Sequence, residues 1–390
     1  MPAERRFGED TRLVATIDQD FWAGRRVLLT GHTGFKGAWL ALWLQELGAR
    51  VTGVAPNGPP TRPSLYELAR VGEGMRERAA DVRDADALRE AVAQERPEVV
   101  LHLAAQPLVR RGYREPAHTF EVNVMGTVNL LEAVRHAGAQ VRAVVVVTSD
   151  KCYENPPGVA RRFVEGDPLG GEDPYSSSKA CAELVTAAYR SSFFARADGP
   201  RVASARAGNV IGGGDWGADR LIPDIVRAVE AGESVRVRNP AAVRPWQHVL
   251  NPLSGYLSLA QALWRGSEAA SAWNFGPATE DVRTVGWIVR RLSEHWGGAL
   301  RWEADGGPNG KPDPLGAAGA SAGEPDPPEA GHLALDSSRA ERGLGWRPPW
   351  GLEEALENVV QWHEAHRRGE DARQTTVSQI ERFDKLANSS

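Results

Sequence analysis

The stretch RRVLLTGHTGFKGAWLALWLQELG, residues 25–48, decides the fold. RRVLLT reads as a buried strand, and AWLALWLQELG is an apolar run of helical length. Between them Gly31, Gly34 and Gly37 form GxxGxxG, interleaved with His32, Thr33, Phe35 and Lys36. Missing β-carbons let the backbone approach a dinucleotide pyrophosphate, and the N–H groups and dipole at a helix start favour its negative charge. A glycine turn that merely packs helix on strand is the competing reading, and the strand–turn–helix order weighs against it. His32 and Lys36 either add positive charge beside the phosphates or are two solvated loop side chains.

The same alternation continues outward. ARVTGVA (49–55), EVVLHLAA (98–105) and RAVVVVTS (142–149) read as strands, while DALREAVAQERP (86–97), TVNLLEAVRHAG (127–138) and SSKACAELVTAAYRSSFF (177–194) read as helices. RVASARAGN (201–209) has fewer apolar residues and is a strand by position rather than by content. Strands separated regularly by helices imply an α/β fold, a Rossmann-type doubly wound parallel sheet. After Asn209 the rhythm changes, which predicts a smaller C-terminal substrate-binding lobe. The expected division is residues 21–208 for the dinucleotide domain, with later elements around 245–280 interleaved, and mainly 209–365 for the smaller lobe. Residues 305–330, dense in Gly, Pro, Ala and Asp, are expected to form a flexible loop, and 1–20 and 371–390 to be poorly ordered tails.

Composition narrows the function. With 42% hydrophobic and 25% charged residues, the 390-residue chain is globular rather than disordered. A net charge of -5 gives nucleic acid or an anionic membrane no global electrostatic attraction, so a small ligand is expected. Cys152 and Cys181 make neither a disulfide framework nor a metal knuckle and read as reduced thiols. No metal site is expected. The start, MPAERRFGED, lacks a signal-peptide apolar run, and no stretch has transmembrane length, so the expected location is the cytoplasm.

An acid ending the second strand would hold the adenosine ribose, but VTGVAPNGPP (51–60) has none, so these residues leave NAD and NADP open. Arg62 is placed for a 2′-phosphate, or is a surface arginine. Asp81 and Val82 follow a short third strand, where they would contact adenine or form an ordinary helix entry.

Tyr175 and Lys179 form YxxxK in EDPYSSSKACAELV (172–185), one helical turn apart on one face. An ammonium beside a phenol lowers its pKa, so a tyrosinate can take an alcohol proton while hydride leaves the same carbon. Thr148, Ser149, Asp150 and Lys151 end the strand AVVVVTS, at the carboxyl edge where open α/β sheets bind ligands. Ser149 or Thr148 would hydrogen-bond the substrate hydroxyl. Asp150 would serve as a general acid if burial keeps it protonated, and Lys151 would stabilise an enolate or act as a base. A solvated turn whose Asp and Lys screen each other is the alternative.

These residues sit in a series of blocks: GHTGFKGAWL (31–40), HLAAQPLVR (102–110), NVMGTVNLLE (123–132), TSDKCYEN (148–155), EDPYSSSKACAEL (172–184), RAGNVIGGGDWGADRLIPDI (206–225), RPWQHVLNPLSGY (244–256) and WNFGP (273–277). Together they resemble the CDP-glucose 4,6-dehydratases of the extended short-chain dehydrogenase/reductase type, over roughly residues 21–365. The resemblance implies NAD as cofactor, held by the loop 31–37 with Asp81, Val82, Leu103, Ala104, Ala105, Thr148, Tyr175 and Lys179. It implies CDP-glucose as substrate, with Asn209, Arg220, Arg244 and His248 lining its site, and a homodimer formed through a helix bundle. It also implies that Tyr175, supported by Lys179, deprotonates the sugar 4-hydroxyl, and that Asp150 protonates the leaving 6-hydroxyl. The related dTDP-glucose dehydratases carry a glutamate where this chain has Lys151, which leaves the C5 base open and favours the CDP branch. A nucleotide-sugar 4-epimerase shares the glycine loop and YxxxK but needs no acid for a leaving hydroxyl. A dinucleotide-sensing regulator would need neither Tyr175, Lys179 nor Asp150.

Overall fold

A computed structural model describes residues 17–156, 158–196, 198–298, 300–304 and 331–388. The leading strand β1 (Arg26–Thr30) feeds helix α1 (Phe35–Glu46), and β2 (Arg50–Ala55), β3 (Arg76–Ala79), helix α2 (Ala85–Glu95) and β4 (Val99–His102) follow. Helix α3 (Gly126–Ala137), β5 (Ala143–Val147), helix α4 (Pro174–Ser192) and β6 (Arg201–Arg206) continue the alternation, and β7 (Ala272–Asn274) completes it. The seven strands pair in parallel in the order β7-β6-β5-β4-β1-β2-β3. Strand order reverses between β1 and β4, so a crevice opens at their carboxyl ends.

Helices on both sides bury β4 and β5 completely, which is why these strands are runs of Val and Leu rather than alternating patterns. Strand β6, which the sequence gives few apolar residues, is also almost wholly buried. Its polar members are consumed internally: Ser204 and Arg206 both bind Glu183 of α4 at 2.7 Å.

Helix α5 (Leu221–Ala231), helix α7 (Val285–His295), helix α8 (Leu352–Arg367) and the parallel strands Ser234–Val237 and Arg301–Ala304 surround a second apolar cluster with Trp246, Ile288 and Leu356 at its heart. Between α5 and α7 in the chain, helix α6 (Leu250–Arg265) returns to the main sheet and is buried along nearly its whole length.

Of the expected frayed tail 371–390, the described residues 371–388 are ordered. Asp371 caps helix α9 (Ala372–Ala387), whose Ala372, Thr376, Ile380 and Phe383 make a narrow buried stripe. Phe383 meets Trp43 and Trp350 edge to face at 5.4 and 5.1 Å, and that stripe is why a largely polar sequence docks. At the other end Ile17 is buried and Asp18 N donates to Gln261 Oε1 at 3.0 Å, so the described start of the chain is anchored although Gln19 and Asp20 are exposed. Residues 1–16 and the expected loop at 305–330 lie outside the described residues.

Candidate active site

The glycines of the first loop have distinct tasks. Gly31 adopts φ +76°, and a β-carbon there would meet the Ala104 nitrogen at 2.8 Å; one on Gly37 would meet the Gly31 oxygen at 2.0 Å. These two glycines let β1, α1 and the end of β4 close on one another. Gly34 is the open one, with only the Gly31 oxygen near its missing β-carbon, at 3.4 Å. It starts α1 without a side-chain cap, so the first-turn N–H groups of Phe35, Lys36 and Gly37 suit a phosphate. Leu103 and Ala104 donate backbone hydrogen bonds to the Thr30 carbonyl and hydroxyl at 3.2 Å, which sets Leu103–Ala105 beside the loop. The residues present therefore fit a dinucleotide pyrophosphate.

Among the flanking residues, His32 takes another place than the sequence suggested. His32 is buried and its Nε2 pairs with Glu77 Oε1 at 2.7 Å, turned away from the loop's open face. Gly53 of β2 makes room for that ring, because a β-carbon there would meet it at 2.5 Å. Asp81 is gripped by Arg83 through Nε and Nη2 at 3.1 and 2.9 Å, and those bonds hold its carboxyl below the usual range. Val82 packs against Gly126. Arg62 is exposed and paired with Glu67 at 3.1 Å, as befits a surface arginine.

The catalytic turn follows from local sequence. Asp173 accepts from Ser176 N at 3.0 Å and Pro174 takes the first helical position, so α4 begins there and Tyr175 stands in its first turn. Lys179 then lies one turn on. From β5 the chain enters a tight 3₁₀ turn, Asp150–Cys152, which Ser149 caps by accepting from Lys151 N at 3.2 Å. Ser149 also donates to Asp150 Oδ1 at 3.0 Å and pulls the Tyr175 phenol down, which links the two segments.

Asp150 is buried, its Oδ2 has no hydrogen-bond partner among the described residues, and that oxygen lies against Gly208. Burial pushes its carboxyl up, against the opposing pull of Lys151, Ser149, Arg244 and Lys36. A protonated acid is what elimination of a hydroxyl demands. Burial also raises Tyr175 to about 12 and lowers Lys179 to about 8. The Lys179 ammonium donates to the Val147 carbonyl at 3.3 Å, and the cation that lowers the phenol is Arg220. Lys179 thus shares the expected helix face with Tyr175, but its charge is turned toward the strand end and Glu183.

Thr148 donates to Glu183 at 2.5 Å, and Glu183 holds Arg206 in a fully buried ion pair, so a rigid polar post stands under the catalytic turn. Arg220 pairs with Asp215 at 2.9 Å while facing Tyr175, and Arg244 approaches Asp150. Asn209, at φ +46°, bends the chain directly after Gly208. His248 does not line the site. Its ring sits between Trp39 and Trp350, at 5.6 and 4.8 Å, where burial lowers it to about 3. Tyr256, Gly208 and Glu183 belong to the site or its support and were not singled out from the sequence. All three lie in quoted blocks, Gly208 in RAGNVIGGGDWGADRLIPDI, Glu183 in EDPYSSSKACAEL and Tyr256 at the end of RPWQHVLNPLSGY, without being assigned a role there.

A doubly wound sheet, a glycine loop at its switch point and a Tyr–Lys helix facing an acid at the neighbouring strand end define an enzyme of the extended short-chain dehydrogenase/reductase class. The chain belongs to the GDP-mannose 4,6 dehydratase family, whose model matches residues 28–359. It is 51% identical over 360 residues to a CDP-glucose 4,6-dehydratase of Salmonella typhimurium, covering 91% of this chain and 95% of that protein. A UDP-glucose 4-epimerase of Mycolicibacterium smegmatis is 30% identical over 346 residues, covering 86% and 98%. Among solved structures, the dTDP-glucose 4,6-dehydratase of Streptomyces venezuelae with NAD and TYD bound superposes with a TM-score of 0.71 at 25% identity, over 89% of this chain and 99% of that one. No helix among the described residues is long and apolar enough to cross a membrane.

Proposed function

We propose that this chain is an NAD-dependent lyase that converts CDP-glucose to CDP-4-dehydro-6-deoxyglucose. NAD, when bound, accepts hydride from C4 and returns it to C6, so it is regenerated in each turnover. The chain's own residues do the rest. Tyr175 removes the 4-hydroxyl proton, with Ser149 orienting that hydroxyl. Once C4 is a ketone the C5 proton is acidic, and in this reading Lys151, the residue after Asp150, serves as its base. Asp150 protonates the 6-hydroxyl, which leaves as water.

The observation that carries this reading is Asp150 itself, a buried carboxyl pushed toward its protonated form beside Tyr175. An epimerase would have no use for such an acid. Arg220 and Arg244 are suited to pair with the nucleotide pyrophosphate. In this reading residues 21–208, with 245–280, serve NAD, and mainly 209–365 grip the nucleotide sugar. The exposed Phe120, Met125, Leu184 and Phe193 on and beside α3 and α4 support a homodimer, and we place the enzyme in the cytoplasm. The test is isotopic: deuterium placed at C4 of CDP-glucose should be recovered at C6 of the product. Deuterium retained at C4 would favour epimerisation.

A further inference from the structure

The Lys36 side chain leaves the glycine loop in an unexpected direction. Its ammonium donates to the hydroxyl of Tyr256 at 3.1 Å, on the fully buried face of α6. Phe35 beside it packs over Gly212, where a β-carbon would meet its ring at 3.2 Å, so the first turn of α1 is clamped against the loop that follows Gly208. Lys36 is thereby held inside the catalytic centre rather than beside the phosphates. Asp150, Lys179 and Arg220 all act on it, and Asp150 is the group whose charge favours its ammonium form. Tyr256 in turn feels both Asp150 and Tyr175.

Such a lysine is costly in this place. The side chain is half-buried, desolvation there brings it down to about 7, two other cations oppose its charge, and its hydrogen bond goes to a neutral hydroxyl instead of a carboxylate. A group kept at that expense among reacting residues points to a function.

We propose that Lys36, anchored on Tyr256, is a positioning residue for elimination: it faces Asp150 and balances the negative charge that Asp150 acquires on protonating the departing 6-hydroxyl. The inference rests on the reading of Asp150 as the acid. In that step the C5–H and C6–O bonds break and the C5–C6 double bond forms. The 6-oxygen leaves as water with the Asp150 proton, and the C5 proton goes to the base, which the proposed function reads as Lys151. Asp150 is left as a carboxylate, and a fixed ammonium facing it lowers the barrier without reorganisation.

Lys36→Met and Tyr256→Phe, compared with wild type in single turnover of CDP-glucose, separate the steps. C4 oxidation is read as the rise of reduced-cofactor absorbance, and elimination followed by reduction as its decay. In Lys36→Met the rise should stay within about twofold of wild type while the decay slows about tenfold or more, with a smaller delay in Tyr256→Phe. NAD retained per purified subunit, measured after denaturation, should be unchanged. Loss of bound NAD, or equal slowing of rise and decay, would overturn the proposal and return Lys36 to cofactor binding. A wild type that makes no product from CDP-glucose sinks the dehydratase reading and this inference with it. A wild type that turns over beside an unimpaired Lys36→Met sinks the inference alone.

Discussion

The carboxylate of Asp150 rests on the backbone of Gly208, so closely that a β-carbon on Gly208 would lie 1.8 Å from Oδ2. The acid, in the turn that follows β5, is thus positioned by the absence of a side chain just past the end of the neighbouring β6. Gly208→Ala should drive Asp150 from its place and cut turnover by about a hundredfold, the usual cost of a displacement of about 1 Å at a reacting group. Circular dichroism should show an intact fold, and near-normal kcat would contradict this placement.

Tyr175→Phe and Asp150→Asn should fail at different points. The tyrosine variant should fold and retain NAD yet show no C4 oxidation in single turnover. The asparagine variant should oxidise C4 and then stall, so that reduced cofactor accumulates. If reduced cofactor fails to accumulate in Asp150→Asn, Asp150 is not the acid for the leaving hydroxyl.

Glu183 and Arg206 form an ion pair at 2.7 Å with both side chains almost wholly buried. Removing one partner leaves the other charge uncompensated, at a typical cost of about 3–5 kcal/mol. Glu183→Gln should therefore lower the urea midpoint strongly. Because Glu183 also holds Thr148 and favours the charged form of Lys179, activity per folded molecule should fall as well. An unchanged midpoint would show that this post carries no stability.

Three buried imidazoles predict acid sensitivity. Burial lowers His102, His248 and His363 to about 3 from the ordinary 6.5. Between those values the unfolded chain binds protons that the native state refuses, so stability is lost as pH falls from about 6.5. Each group contributes at most about 1.4 kcal/mol per pH unit. Neither ring nitrogen of His363 has a hydrogen-bond partner among the described residues, so an apolar replacement should be close to neutral or stabilising at pH 7. His363→Leu should flatten the fall of the urea midpoint between pH 6.5 and 5, and an unaltered slope would count against a neutral buried His363.

The sheet was legible because its signals are local: a glycine loop between a strand and a helix, and buried strands written as unbroken Val and Leu runs. The catalytic turn was legible for a related reason, since Ser149, Asp150, Tyr175 and Lys179 sit at a strand end and a capped helix start. Side-chain direction was not. His32, Lys36 and His248 each carry a charge or potential charge in the right neighbourhood, yet one turns to Glu77, one to Tyr256 and one into an aromatic cage. Those outcomes depend on residues far away in the chain, which no spacing rule reaches. Gly208 was invisible for the same reason, because its need arises from a carboxylate in the turn after another strand. Helix α9 was missed because five buried positions, two of them polar, in a polar stretch give a weak period, and docking on Trp43 and Trp350 supplies its stability.

The most direct test of the dehydratase reading is the product mass. Purified protein incubated with NAD and, separately, CDP-, dTDP-, UDP- and GDP-glucose should yield loss of one water from CDP-glucose alone. An unchanged mass with a new sugar stereoisomer, or no conversion of any of the four, would contradict it.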